Sequence, residues 1–591
     1  MGVNNSSWRN CTKTLILRGA LSLGIATAAF GMAAVPALAL EASEIGSAKA
    51  YSAYNFASED DVIRLQTASK VLPAQYDLRD KGVVTPVKFQ NPWGTCWGFS
   101  AIAASETSML SEMGQTYAET SMDYSERQLA YFAAKHLSLG EEGDSYNNQA
   151  GEGVYNALTE TDCIEDPETA EGLLGYPLEN ALFNQGGLPS YATSVFSDGI
   201  GPLPESMAPY QNDEGQLEWN KAYWSPYGTW SLSEELRAKS AAALEESFVL
   251  PTPATFDENG DYVYNEFATA AMKEQAYQGR ALSIAFCADE SMPGQVSENA
   301  YMNPDTWSHY TYEPESANHA VTIVGWDDDY PKENFNAEHQ PPADGAWIVK
   351  NSWGAASNEF PNQNAWGNEG YFYLSYYDQT IVIVEAFGYD IDGRETDKNG
   401  EFIANQYDYM TIDYSTCEAY DDRASTANVF VAEDAQELTS LSCETSQPGT
   451  TVTYEVYRLV EGEGPADGEL VTKIEETYEY GGYHLVSIPE ADRAKARFAK
   501  GEQFCAVIAN AAGAGLEGQD ESVLGAYGDA AGVSAWARPA VAWAVESGVI
   551  SGVEQADGSR TLDAGRALTR AEMAAMMVNA VDAGVLALAQ E

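Results

Sequence analysis

A cysteine stands six positions after a glutamine in Gln90-Asn91-Pro92-Trp93-Gly94-Thr95-Cys96-Trp97-Gly98-Phe99-Ser100, behind a Gly-Thr turn and at the head of an apolar run. That context predicts a thiol at a helix N-terminus, where the helix dipole favours thiolate. A thiolate attacks carbonyl carbon, and the Gln90 side-chain amide can donate to the oxyanion so formed. Such a nucleophile needs a base, and the base needs an orienting group. The chain has five histidines: His136, His309, His319, His339 and His484. His319 opens the apolar run Asn318-His319-Ala320-Val321-Thr322-Ile323-Val324-Gly325-Trp326, which reads as a strand and so as a rigid mount. A second strand pattern, Gly345-Ala346-Trp347-Ile348-Val349-Lys350, leads into Asn351-Ser352-Trp353-Gly354. Asn351 can accept from the imidazole and fix its tautomer, and Trp353 can shield that bond from water. His309 reads as an exposed loop residue, and the other three histidines as surface or structural.

The elements that carry these groups belong to a long exported chain. Arg9, Lys13 and Arg18 precede an apolar run from Ala20 to Val35, and Pro36 precedes Ala37-Leu38-Ala39. Residues 1–39 therefore read as a signal peptide cleaved after Ala39. No other segment is apolar enough to span a bilayer, so the mature chain is not expected to cross one. At 591 residues several domains are expected, and a net charge of −58 argues against nucleic-acid partners. Seven cysteines without repeated spacing do not make a disulfide scaffold, although one bridge among Cys417, Cys443 and Cys505 is compatible with their shared β region. No C-x-x-C pair or His/Cys cluster suggests a metal, no cofactor is called for, and Asp327-Asp328-Asp329 reads as a charged turn rather than a calcium site.

Taken together, these segments resemble the papain family of cysteine peptidases. Leu72-Pro73-Ala74-Gln75-Tyr76-Asp77-Leu78-Arg79 resembles the mature start of such enzymes, and Gln90, Cys96, His319 and Asn351 match the family's motif positions. Gly186-Gly187 resembles the glycine pair that binds substrate backbone, and Trp366-Gly367-Asn368-Glu369-Gly370-Tyr371-Phe372 resembles the closing strand. The resemblance implies an α+β, two-lobed catalytic domain over residues 72–380, with a helical lobe and a β-barrel-like lobe. It implies a Cys96 thiolate paired with a His319 imidazolium, an acyl-enzyme thioester, protein or peptide substrates, and an oxyanion held by Gln90 and the Cys96 N–H. The spacing departs from the family: His319 lies 223 positions after Cys96 and Asn351 255 after it, against about 130–150. An insertion within Gly140 to Thr255 and a longer His–Asn connection, Asp327 to Asp344, are expected. Trp93 replaces a cysteine common in the family, and the lead-in of residues 40–71 is short for an inhibitory propeptide.

Beyond the catalytic domain, residues 386–512 alternate as short strands and predict a β-sandwich resembling the lectin-like domain of bacterial papain-type peptidases. Residues 513–526 read as a linker. In residues 527–591, Trp536, Ala540, Trp543 and Ala544 share a helical face, and Thr569 with Glu572 has capping-box spacing. This small helical module resembles an S-layer homology module, which implies retention at the cell wall through a cell-wall polymer. The expected protein is an exported, cell-surface cysteine endopeptidase. The alternatives are a surface adhesin or glycan-binding protein on a peptidase scaffold, and a peptidoglycan endopeptidase of another Cys/His type, which lacks the Gln90 spacing and the Asn351-Ser352-Trp353 segment.

Overall fold

The computed structural model describes residues 72–90, 93–134, 186–210 except 198, 232–256 except 237 and 238, 260–289, 301–355, 367–390, 423–460 except 433 and 446–448, 464, 467–511 and 521–528, with short runs between 530 and 562. The signal segment, the lead-in, His136, Cys163, Cys417 and all of the expected S-layer-like helices but Ala542 and Val545 lie outside the described residues.

One helix runs through the middle of the catalytic domain. Helix α1, Cys96–Glu112, is rich in Ala and Ser, lacks proline, and buries every residue from Trp97 to Leu110. A helix buried on all sides is a central one rather than an amphipathic surface element. Gly114, at φ 61°, ends it: the N–H groups of Gly114 and Gln115 return to Ser111 and Leu110 carbonyls. Its hydroxyls tie it to the sheet. Ser100 Oγ donates to the Val321 carbonyl at 2.6 Å and meets Ser283 Oγ at 2.7 Å. Ser108 Oγ donates to the Phe387 carbonyl at 2.6 Å.

The sheet under α1 contains β1 (Gln75–Asp77), β2 (Ala243–Leu250), β3 (Leu282–Phe286), β4 (His319–Asp327), β5 (Ala346–Lys350), β6 (Tyr371–Ser375) and β7 (Val382–Asp390). Its order is β2-β7-β3-β4-β5-β6, with β1 pairing on β4. Strand β3 is buried along its whole length, and β4 along all but its last residue, as their predominantly apolar sequences require. Gly325 lets β1 pair closely with β4, since a Cβ there would lie 2.3 Å from the Tyr76 carbonyl oxygen. One core gathers around α1 with α2 (Glu126–Ala134) and α3 (Ser190–Ser197); another fills the β lobe around Trp326 and Trp347. The two-lobed α+β architecture is therefore present. Strand β7 runs across the expected start of the β-domain at Ala386. Its pairing with β2 and β3 makes residues 386–390 part of the catalytic sheet, a correction to that boundary.

The following domain is built of two layers. Strands β8 (Arg423–Val431), β10 (Thr450–Leu459), β11 (Glu469–Tyr478) and β13 (Gln503–Ala511) form an antiparallel sheet in the order β8-β13-β10-β11. Strands β9 (Ser440–Thr445) and β12 (Gly482–Ser487) form the facing layer, with Leu441, Val452, Tyr454, Val456 and Phe504 in the core between them. The layer of β9 and β12 is continuous with the catalytic sheet: His484 pairs opposite Glu246, the Val249 N–H reaches the Gly481 carbonyl at 2.8 Å, and the Tyr483 N–H reaches Ser247 Oγ at 2.9 Å. Gly482 sits at φ 128°, where a Cβ would lie 2.1 Å from the Ser247 carbonyl oxygen. Cys443 and Cys505 are both free thiols, so no bridge joins them. Within the expected linker, Glu521–Ala526 form a 3-10 turn with Leu524 buried.

Glu385 of β7 is buried between the lobes and accepts from Thr193 Oγ1 of α3 at 3.1 Å. Burial raises its pKa to about 8. An unfolded glutamate titrates near about 4.3, so between that pH and about 8 the native state holds a proton the unfolded state has lost. Stability therefore falls as pH rises through this window. Glu385→Gln keeps an oxygen for Thr193 and removes the charge. Thermal unfolding of Glu385→Gln is expected to show a flatter decline above pH 5 and a gain on the order of 2 kcal/mol at pH 8, with little change near pH 4.

Candidate active site

Cys96 is the first residue of α1 and is partly exposed. Ala320, next to His319 at the start of β4, belongs to the core against which Cys96 packs, and its backbone N–H, with those of Trp97 and Cys96 itself, draws the thiol pKa down. His319 Nε2 lies 2.8 Å from Asn351 Oδ1. The Trp353 indole stacks on the imidazole, with centroids 4.4 Å apart and planes 25° apart. Asn351 Oδ1 also accepts from the Ser352 backbone N–H at 2.7 Å, and the Asn351 backbone N–H donates to the Gly370 carbonyl at 2.9 Å, so side-chain oxygen and backbone are each held. With Oδ1 as the acceptor of the backbone N–H, His319 Nε2 carries the proton, which leaves Nδ1 basic.

Gln90 is held by the same turn. Its N–H donates to the Ser352 carbonyl at 2.9 Å, its Oε1 accepts from Ser352 Oγ at 2.7 Å, and its Nε2 donates to the Trp93 carbonyl at 3.2 Å. An amide nitrogen has two hydrogens, so a second donor stays available to a ligand. Gly186, at φ 73°, and Gly187 lie beside α1: a Cβ on Gly187 would meet the Trp97 indole nitrogen at 2.5 Å. The structure thus gathers the Gln90, Cys96, His319, Asn351 and Trp353 segments and sets the glycine pair against the residue following the cysteine.

Electrostatics correct one expectation. Burial pushes the Cys96 thiol up, outweighing the N–H groups that draw it down, so the helix terminus alone does not yield a low thiol pKa. Burial also lowers the His319 imidazole to about 4, against the pull of Asn351 toward the charged form. Each charge is thus disfavoured by itself. His309 corrects another: it is fully buried, with Nε2 accepting from the Asp289 N–H at 3.0 Å and Nδ1 3.5 Å from Asp378. His339 stacks on Tyr312, and His484 is buried at the seam between the domains. Asp327 caps its own turn and Asp328 pairs with Lys273.

Beneath the site lies a charged cluster that pattern reading missed. Lys88 Nζ stands 2.7 Å from Asp123, 2.8 Å from Glu126 and 3.2 Å from Glu106, with Glu106 on α1 fully buried. Lys350, buried next to Asn351, donates to Thr85 Oγ1 at 2.9 Å, and Thr85 donates to Glu106 at 2.5 Å. Burial lowers the Lys350 pKa to about 8, whereas the surrounding carboxylates hold Lys88 well above its ordinary value despite its burial. Tyr210, also missed, donates to the Gln90 carbonyl and meets Thr95 Oγ1 at 2.7 Å. The available signal was compositional: charged residues inside apolar segments.

A cysteine, an amide-oriented histidine and a neighbouring glutamine across two lobes define the class of site. Residues 72–140 and 183–388 match the papain family cysteine protease, residues 405–519 the lectin like domain and residues 526–574 the S-layer homology domain, so the chain carries a papain-family cysteine protease domain followed by those two further domains. The first match passes over residues 141–182, inside the stretch where an insertion is expected. Mouse procathepsin L is 25% identical over 304 residues, 51% of this chain and 60% of that protein. Peptidase 1 of Dermatophagoides farinae is 33% identical over 101 residues, 17% of this chain and 29% of that protein. The chain thus spans less than two thirds of these curated relatives. The cysteine protease and lectin-like domains of Cwp84, a surface layer associated protein of Clostridium difficile, superpose with a TM-score of 0.49 at 19% identity, covering 80% of this chain and 84% of that one. Bromelain from Ananas comosus gives 0.29 at 21% identity, covering 54% and 98%.

The charged cluster makes a stability prediction. Lys88→Met leaves Glu106 and Glu126 without their cation and is expected to destabilise the protein by about 3–5 kcal/mol. The loss, read from the denaturant midpoint, should be larger at pH 8 than at pH 5, where Glu126, whose carboxyl burial pushes up to about 7, is neutralised by protonation.

Proposed function

We propose that this protein is an exported cysteine endopeptidase, held at the cell surface, that hydrolyses peptide bonds through Cys96. The observation that carries the reading is the His319 imidazole, fixed by Asn351 and covered by Trp353, on the strand whose next residue, Ala320, lies in the core against which Cys96 packs. Because burial disfavours a lone thiolate and a lone imidazolium, the two charges form together, by transfer of the Cys96 proton to His319. The thiolate adds to the peptide carbonyl. Gln90 Nε2 and the Cys96 N–H hold the oxyanion, His319 protonates the departing amine, and water then hydrolyses the thioester. Gly186 and Gly187 offer open backbone beside Trp97 for strand-like pairing with an extended peptide. Protein or peptide substrates follow from this arrangement. The S-layer homology match supports attachment to a cell-wall polymer, and the signal-like N-terminus supports export. Among the described residues no helix is long and apolar enough to cross a membrane. The adhesin reading would leave this aligned catalytic set without a use.

The test is cleavage of casein by the mature chain under reducing conditions. Cys96→Ala is expected to abolish it, and Gln90→Ala to lower kcat by about 10²–10³. Equal cleavage by wild type and Cys96→Ala would overturn the assignment.

A further inference from the structure

We propose that the Tyr210 hydroxyl is a positioning group for the oxyanion hole, holding the Gln90 and Thr95 ends of the loop that carries its two donors. This inference rests on the peptidase reading and deepens it. The donors are Gln90 Nε2 and the Cys96 N–H. The first depends on the placement of Gln90, and the second on the orientation of the peptide that Thr95 shares with Cys96. Tyr210 touches both ends: its O–H donates to the Gln90 carbonyl, and its oxygen meets Thr95 Oγ1 at 2.7 Å. With the tyrosine proton committed to Gln90, Thr95 is the donor of the second bond.

Thr95 supplies an independent sign. It is the N-cap of α1, where a threonine hydroxyl ordinarily accepts from a backbone N–H in the first helical turn. Here it makes no such bond, although its carbonyl accepts from the Gly98 N–H at 2.9 Å and the Phe99 N–H at 3.2 Å. Its hydroxyl is directed to Tyr210 instead. The helix forgoes a side-chain cap, and the loop gains a cross-brace.

Tyr210 is itself firmly placed. Its ring packs edge-on against Phe99, with centroids 4.8 Å apart, and its N–H donates to Glu205 at 2.6 Å. The segment leading to it is pinned by the Ser125 N–H to the Leu203 carbonyl and the Glu205 N–H to the Asp123 carbonyl, both at 2.8 Å. The hydroxyl thus reaches the loop from a scaffold outside it, and a donor held in advance costs no reorganisation as charge develops.

The experiment uses the full mature chain with Tyr210→Phe, which keeps the ring against Phe99. Three quantities are read: kcat and KM on a fluorogenic peptide, the affinity of a peptide aldehyde, and the rate at which iodoacetamide alkylates Cys96. The aldehyde adds to the thiol, forming a carbon–sulfur bond while its carbonyl oxygen enters the oxyanion site; alkylation forms no oxyanion. Tyr210→Phe is expected to lower kcat and aldehyde affinity by about ten-fold, a fraction of the loss from deleting a donor outright, with KM and alkylation rate near wild type. Thr95→Val should shift the same quantities, and Thr95→Ser should restore them; this pair decides the matter if Tyr210→Phe fails to fold. Unchanged kcat in both Tyr210→Phe and Thr95→Val, or alkylation slowed as much as kcat, would overturn the positioning role while leaving the peptidase assignment intact. A wild-type chain inert to peptide and aldehyde alike would overturn both.

Discussion

The site depends on a short crossing of two backbone segments, residues 88–90 and 352–354. Phe89 bridges Trp353, the Gln90 N–H donates to the Ser352 carbonyl, and the Gly354 N–H donates to the Lys88 carbonyl at 3.0 Å. Gln90 precedes the catalytic helix, whereas Ser352 and Trp353 follow strand β5 of the β lobe. Ser352 joins the two functions chemically, since its hydroxyl holds the Gln90 side-chain amide and its N–H holds Asn351 Oδ1. A shift of either lobe would therefore move the oxyanion donor and the histidine's orienter together. Bond directions, rather than apolar contact alone, fix the spacing between them.

The buried charges beneath this crossing have a related effect. Lys88 lies two residues before Gln90, Lys350 immediately before Asn351, and Glu106 on the helix that Cys96 begins. The segments of Gln90, Cys96 and Asn351 thus each contribute a member to one polar cluster. Burying such groups carries a desolvation penalty, and replacing a satisfied cluster by apolar side chains is often neutral or stabilising. What a cluster of this kind imposes is register: a lysine serving Glu106, Glu126 and Asp123 at 2.7–3.2 Å has few alternative positions. Apolar packing around α1 alone would tolerate small slides along the helix axis. We attribute to this cluster the alignment of segments that lie more than 250 residues apart in the chain.

The motif residues were legible because their chemistry demands particular types next to recognisable elements: a cysteine at a helix start, a histidine at a strand start, an amide at a strand end. The β-strand pattern was equally plain in Thr450–Leu459, where alternate residues face the core. Tyr210 and the charged cluster escaped because their partners come from distant segments, and a tyrosine after Pro209 or a lysine before Phe89 has no local signature. His309 was misplaced for the same reason. It follows polar residues in sequence, yet Phe286, Tyr301 and Phe372 surround it and Asp378 faces it. The thiol's pKa was misjudged because a helix terminus can be read from sequence but the extent of desolvation cannot.

The boundary at Ala386 failed for a physical reason that bears on the lectin-like domain. Strand β7 is buried continuously from Val384 to Tyr389, and its pairing partners β2 and β3 decide which sheet it joins. Its neighbour β2 would present an open edge, a ready template for pairing with other chains. Strand β12 covers part of that edge, and Gly482 permits backbone approach that any larger residue would block. Tyr483 from this strand is buried in the same core as Leu244 and Phe387, and Tyr480 packs edge-on against Phe248. The lectin-like domain thus adds side chains to the catalytic core as well as a strand to its sheet. Its seam with β2 therefore bears on the stability of the catalytic lobe, whatever ligand its outer surface meets.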